Sequence, residues 1–395
     1  MKRAFVPVGA MLAIQVMVSL SVLALSVMMP AVAHDLAIDP KLVGIFAAIT
    51  YAVAATVALL AAGPIVRFGA VRISQIALLM GAVGLALNSV ATVFATVAAV
   101  FFIGMAQGPI NPASAHVLSQ RVPREYFGMV FSVKQTGVPI GFALAGVVFP
   151  WLLGLVGWRG ASLVAAGAAL VMAVTVELLR TRLDTRSTVE RSQTSIWQSI
   201  RFVLAHPQLR VLGWSAFIYV VAQHTFTFYL VTYLYQHCHL TIAQAGFLLA
   251  LSQIVGTAVR LLSGGMGDRV PRMKLLGWTG IGMTVGCIAT GLLPEDAPYW
   301  VIALVVMAYG SVVISWNGTS QAEFAHLSPP GQAAAVAAVQ TALAFSGSVA
   351  GPPIFGLIAS AVSYRAAFLT VAALVLAAAF WQISTHRRMN AATSA

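Results

Sequence analysis

The chain has 395 residues, of which 60% are hydrophobic and only 8% charged, against about 25% charged in an ordinary soluble domain. That excludes a water-soluble globular enzyme, and apolar runs of ~20 residues without alternation exclude a transmembrane barrel. The reading is an all-α membrane protein, and its net charge of +12 is a property of its loops that calls for no nucleic-acid partner.

Apolar runs predict twelve transmembrane helices, at roughly 6–30, 42–65, 72–93, 96–119, 126–150, 158–180, 208–236, 240–264, 273–293, 299–323, 332–360 and 363–386. The first follows Lys2 and Arg3 and ends in Ala31-Val32-Ala33, which imitates a signal-peptidase site. It is too long for a signal segment and more spans follow, so it reads as an uncleaved helix. The fourth run carries Gln107 and Asn111. The fifth contains Lys134. If that helix starts near Tyr126, Lys134 lies ~12 Å inside, where a cation costs roughly 2.5–3.5 kcal/mol on the lenient insertion scale. Two readings stand: a lysine that snorkels to the headgroups, or a cation that holds an anionic substrate.

The polar, arginine-rich segment 181–207 divides the chain into an N-terminal six-helix half, 1–180, and a C-terminal half, 208–395. In the second half the seventh run holds Gln223 and His224, the eighth Arg260, and the tenth Trp316 and Asn317. With the N-terminus in the cytoplasm, all of the 22 lysines and arginines except Lys41, Lys134, Arg159 and Arg365 fall at or near the cytoplasmic side, as the positive-inside rule requires. Both termini are then cytoplasmic and the membrane is a bacterial inner membrane.

The halves repeat. Asn111 and Ser114 match Asn317 and Ser320, Trp158-Arg159 matches Tyr364-Arg365, and Lys134 falls opposite Gln340, all at an offset of 206. A constant offset predicts duplicated halves in the same orientation, a parallel repeat with a site at their interface.

At this point the chain resembles the major facilitator superfamily over essentially its whole length. The stretch RLLSGGMGDRVPRMK, Arg260 to Lys274, is similar to the family's cytoplasmic motif G-x-x-x-D-R-x-x-R, with Gly264, Asp268, Arg269 and Arg272 in register. The resemblance implies a charge latch on the cytoplasmic face. The equivalent stretch Gly63 to Arg72 has Val66 in the aspartate position. In the fourth helix Gly104 stands where many members carry an arginine. The fifth keeps Pro139 of an antiporter motif, while the eleventh keeps Gly347, Gly351, Pro352 and Gly356, which read either as that motif or as close packing and a kink.

The resemblance also implies that helices 1, 4, 7 and 10 line a cavity, and that helices 5 and 8 face each other with Lys134 and Arg260 at similar depth. An arginine fork and a lysine point charge suit a carboxylate. Arg260 reads equally as a structural partner of Asp268. All ten acids lie in loops or near helix ends, which argues against an organic cation as substrate. Gln15, Asn111, Trp316 and Asn317 complete the expected substrate contacts. Histidine is the side chain whose ordinary pKa lies near neutral, so His224 is the expected proton-coupling residue, or a packing histidine. Cys238 and Cys287 have no metal spacing and no disulfide framework, and no phosphate loop or carboxylate pair suggests an enzyme. The sequence therefore predicts a monomeric secondary transporter, without cofactor or metal, that moves a small organic anion by alternating access with proton coupling. The rival reading is a proton-linked exporter of drugs or metabolites.

Overall fold

The computed structural model describes residues 2–121, 130, 133–183, 196–266, 270–328 and 333–394, and among them there is no strand. The helices in order are α1 (Lys2–Leu36), α2 (Val43–Leu60), α3 (Ala62–Phe68), α4 (Ala70–Asn88), α5 (Val93–Gln107), α6 (Ile110–Arg121) and α7 (Gly137–Leu183). They continue with α8 (Ile196–Ala205), α9 (Pro207–Gln236), α10 (Ile242–Met266), α11 (Arg272–Gly291), α12 (Tyr299–Val313), α13 (Trp316–His326), α14 (Ala333–Ala361) and α15 (Tyr364–Ser394). Local chemistry sets their ends. The Asp39 carboxylate accepts from Lys41 N at 2.8 Å in the turn before α2, and Thr92 Oγ1 accepts from Ala95 N at 3.2 Å to start α5, each satisfying a donor that the helix cannot.

Among the described residues ten helices are long and apolar enough to cross a membrane. One of them, Val133–Leu178, has 46 residues, about twice what a single crossing needs. It divides at Gly157, whose φ of 67° and ψ of 174° suit glycine and strain any other residue. With α11, a 20-residue helix made less apolar by glycine and threonine, these account for the twelve expected crossings. The protein is inside-out relative to a soluble fold. Phe94, Trp151, Val174, Leu178 and Val362 are exposed, while Gln15, Ser19, Lys134, Gln253 and Gln340 are buried. Lipid solvates the former; the latter must find partners within the protein.

The chain forms two compact units, Met1–Glu190 with Leu240–Ala250, and Arg191–His239 with Leu251–Ala395. In the first, Met11, Ile14 and Val18 of α1 share a core with Ile73 and Ala77 of α4, Ala113 and Val117 of α6, and Ala169 and Ala173 of α7. In the second, α11 packs along α15 and α9 along α14.

Each unit repeats the other's local construction. The fourth predicted helix is not continuous: it breaks at Gly108-Pro109, between α5 and α6, because proline has no N–H to continue the ladder. The tenth breaks at Ile314-Ser315, between α12 and α13, at the same offset of 206. Gly104 faces α2, where a Cβ would lie 2.6 Å from the Thr50 carbonyl; Gly310 faces α10, where it would lie 2.7 Å from Ser252 Cβ. An arginine at position 104 would therefore collide with α2. Ties at the end of the first membrane span of each half repeat with changed chemistry. Trp158 Nε1 donates to Asp35 Oδ2 at 2.8 Å, and the Tyr364 hydroxyl donates to Gln236 Oε1 at 2.7 Å.

Candidate functional site

Lys134 is 2% exposed. Its Nζ donates to Asn111 Oδ1 at 2.6 Å, to Gln15 Oε1 at 2.7 Å and to Gln135 Oε1 at 3.3 Å. The Gln15 amide continues the chain by donating from Nε2 to Ser19 Oγ at 3.0 Å. All three N–H bonds of the ammonium thus end on neutral carboxamides. Among the described residues no carboxylate pairs with it. The side chain turns inward to this shell and does not snorkel.

Two glycines bring these groups together. Gly137 and Gly141, four residues apart, lie on one face of α7. A Cβ at Gly137 would sit 2.9 Å from Gln15 Cβ and Cγ, and one at Gly141 would sit 2.5 Å from the Val16 carbonyl. The helix backbones meet there, and the segment just before α7 delivers Lys134 beside Gln15. From the other side, the break at Gly108-Pro109 starts α6 afresh with Asn111 in its first turn. Gln15 and Ser19 are buried, whereas Asn111 is exposed, so the lysine shell reaches the surface of its unit at a polar side chain in mid-span. Gln107 Oε1, one turn before Asn111, is buried without a hydrogen-bond partner among the described residues.

The remaining expected contacts belong to the second unit. Trp316 is buried; its Nε1 donates to Gln223 Oε1 at 3.0 Å, and its ring stands edge-on to Tyr219 at 5.7 Å. Asn317 Oδ1 accepts from Gln321 Nε2 at 2.9 Å. Gln340, the repeat counterpart of Lys134, donates to Ser320 Oγ at 3.0 Å, so in the second unit a neutral side chain bonds the counterpart of Ser114 where Lys134 bonds Asn111. The Arg260 guanidinium lies over Gly318, with Nε 3.7 Å from where a Cβ would be, and it joins no ion pair among the described residues. The His224 ring packs edge-on to Phe228 at 5.5 Å. The tyrosines of α9 serve packing: the Tyr229 hydroxyl donates to the Pro352 carbonyl at 3.0 Å and Tyr233 to that of Thr290 at 2.6 Å. The glycines of the eleventh predicted helix also pack closely. A Cβ at Gly347 would lie 2.6 Å from the Phe217 carbonyl, and one at Gly351 2.9 Å from Val221 Cγ1.

Of the expected latch, Asp268 and Arg269 lie outside the described residues, while Gly264 lies in the last turn of α10. Arg272 Nη1 pairs with Glu323 Oε2 at 3.7 Å. In the first unit, where Val66 replaces the motif's aspartate, Glu177 near the end of α7 gathers the charges. It accepts from Gln75 Nε2 at 2.8 Å, Arg180 Nε at 2.8 Å and Arg72 Nη1 at 3.2 Å.

The sequence profile of the Major Facilitator Superfamily matches residues 11–346. The chain belongs to this superfamily. Like other members it carries many apolar helices, and it is a multi-pass membrane protein. It is 25% identical over 285 residues to an uncharacterised MFS-type transporter of Mycobacterium tuberculosis, covering 70% of this chain and 62% of that protein. It is 26% identical over 261 residues to monocarboxylate transporter 13 of Rattus norvegicus, covering 63% and 57%. It is 25% identical over 228 residues to a nitrite extrusion protein of Bacillus subtilis, covering 58% and 55%. The chain thus spans little more than half of these relatives' own lengths. In fold it is similar to a bacterial homologue of the human lysosomal transporter Spinster, solved inward-facing and occupied, with a TM-score of 0.80 at 14% identity over 98% of this chain and 97% of that one.

Three participants in this facilitator's networks were not expected from the sequence. Gln135 is the third acceptor on Lys134, Glu323 is the partner of Arg272, and Glu177 is the centre of the first unit's charge cluster. Only the last had a signal, an acid one helical turn before Arg180.

Proposed function

We propose that this facilitator is a secondary transporter of a small organic anion, a monocarboxylate or a metabolite of similar size and charge, coupled to protons. It works by alternating access in the inner membrane, with both termini cytoplasmic. The observation that supports the reading is the Lys134 ammonium, buried in a membrane span on three neutral amide oxygens. A cation in that setting is expensive and marks a substrate or ion pathway; an anion that reaches it by way of Asn111 would supply the missing charge. Gln15 and Asn111 then orient the substrate's pole. Within the second unit, Arg260, Trp316 and Asn317 are the candidates for substrate contact.

The names of two relatives favour the same charge class, one a monocarboxylate transporter and one a nitrite extrusion protein. The second of these also favours a rival direction, export, which an anion site of this kind serves equally well. For the latch, Arg272 with Glu323 and Glu177 with Arg72 and Arg180 are the contacts that would break when the cytoplasmic face opens.

The test is a thermal-shift screen of the purified full chain against formate, lactate, pyruvate and nitrite, with quaternary ammonium drugs as the opposite charge. A ligand at a hundred times its dissociation constant stabilises by about 2.7 kcal/mol. Anions are expected to raise the melting temperature and cations to leave it unchanged; the reverse result would overturn the anion reading.

A further inference from the structure

The partners chosen for Lys134 distinguish two kinds of buried cation. A carboxylate only accepts hydrogen bonds, so it holds a lysine in its charged form. A carboxamide accepts at one end and donates at the other, and a half turn of its terminal group exchanges the two. Lys134 has three carboxamides and, among the described residues, no carboxylate. The Gln15 amide is held by its bond to Ser19 Oγ, which keeps its oxygen on Nζ. The NH₂ ends of Asn111 and Gln135 carry no such bond among the described residues, so either is free to turn.

This shell fits both protonation states of the amine. The ammonium donates three bonds to three oxygens, as observed. The neutral amine has two N–H bonds and one lone pair; Gln15 and one neighbour accept, and the turned neighbour donates its N–H to the lone pair. No contact is lost in either state.

We propose that Lys134 carries the coupling proton: it binds the anion as an ammonium and crosses without it as a neutral amine. This rests on the anion reading above. On the loading side the Nζ lone pair takes a proton from water as the anion binds. On the other side the anion leaves and the same N–H bond gives its proton back to water. One proton and one monovalent anion cross together and no net charge moves.

The surroundings supply no competing base among the described residues. Between Val6 and Ala33, α1 has no charged or titratable side chain, and none lies in α5 or in the segment 133–136 apart from Lys134 itself. On α6 the titratable or charged groups are His116, five residues beyond Asn111, or ~7.5 Å along the helix, and Arg121 at its last residue. On α7 the first charge after Lys134 is Arg159, and on α4 Arg72 is engaged by Glu177. Glu125 lies outside the described residues.

The experiment uses the full chain in liposomes with labelled lactate and nitrite as probes. Lys134→Arg keeps the charge and the donors, but a guanidinium does not give up its proton. Exchange of external for internal probe needs only the loaded carrier and should stay within about threefold of wild type. Accumulation driven by a pH gradient needs the empty return and should fall at least about tenfold. His224→Gln should retain both. Accumulation at wild-type level in Lys134→Arg, or its loss in His224→Gln with Lys134→Arg unaffected, would overturn the proposal. Should Lys134→Arg lose exchange as well, wild-type protein in weakly buffered detergent decides: adding either probe should take up one proton per anion bound. Binding without proton uptake overturns this assignment and leaves the anion site standing; no binding of either probe overturns both.

Discussion

Lys134→Gln tests the anion site most directly. In the folded protein the ammonium makes three hydrogen bonds, two of them at 2.6 and 2.7 Å, in the range of charge-assisted bonds. An anion bound there gains a further charge-assisted contact worth ~1.5–3 kcal/mol, or about ten- to a hundredfold in affinity. The glutamine removes that contact and should weaken binding by this factor. Its effect on stability is smaller, because losing a buried cation also removes its desolvation cost, and the new amide donates to one of the three oxygens. Lys134→Met is the sharper structural control. It leaves all three acceptors on an apolar side chain, at ~1–3 kcal/mol for each that finds no water, and should melt well below the glutamine variant. The assay is calorimetric titration of lactate and nitrite into wild type and both variants, with circular dichroism melts alongside. Wild-type affinity in a folded Lys134→Gln protein would refute the reasoning and remove the anion site.

Gly137→Ala adds a Cβ 2.9 Å from Gln15; overpacking costs ~1–3 kcal/mol, and the variant should lower the melting temperature and weaken anion binding together, whereas Gly154→Ala, in open space, should do neither. Glu177→Gln disperses a half-exposed cluster in which each pair is worth ~0–1 kcal/mol, so a small stability loss with a shift in cytoplasmic cysteine accessibility is expected, and unchanged accessibility would count against a latch there. For topology, Asp296→Cys should react with an impermeant thiol reagent from outside and Arg201→Cys should not; labelling of Arg201→Cys from outside would reverse the orientation.

The fold was legible because membrane helices announce themselves by length and apolarity, and the repeat because its landmarks, Asn111 with Asn317 and Trp158 with Tyr364, kept one offset. Lys134 was legible as an anomaly, since a lysine in an apolar run has to be explained. Its shell was only partly so. Gln15 and Asn111 are polar residues on the expected helices, but nothing in the residue order says that Gly137 and Gly141 press α7 against α1 at Gln15, or that the side chain of Gln135 curls back to its neighbour. Pairings such as Arg272 with Glu323 join residues far apart in the chain, and a duplicated half that has exchanged lysine for glutamine gives no template for them. The break in the fourth helix had a proline to signal it; the break in the tenth had none.

Those two breaks carry a consequence for how the duplication aged. At position 109 proline has no N–H, so the Met105 carbonyl loses its usual donor. At position 315, the repeat equivalent, serine does have an N–H, but it bonds the Val312 carbonyl at 3.3 Å, three residues back, and the Ser311 carbonyl loses its usual donor in turn. Met105 and Ser311 are themselves related by the offset of 206. Two unlike residues have thus released the same oxygen in each copy. In hydrocarbon such an oxygen is costly, and irregular backbone persists only where protein or water covers it. What descent has kept in the two copies is not a residue but a withdrawn donor, one carbonyl in each repeat left without the N–H that a continuous helix would give it.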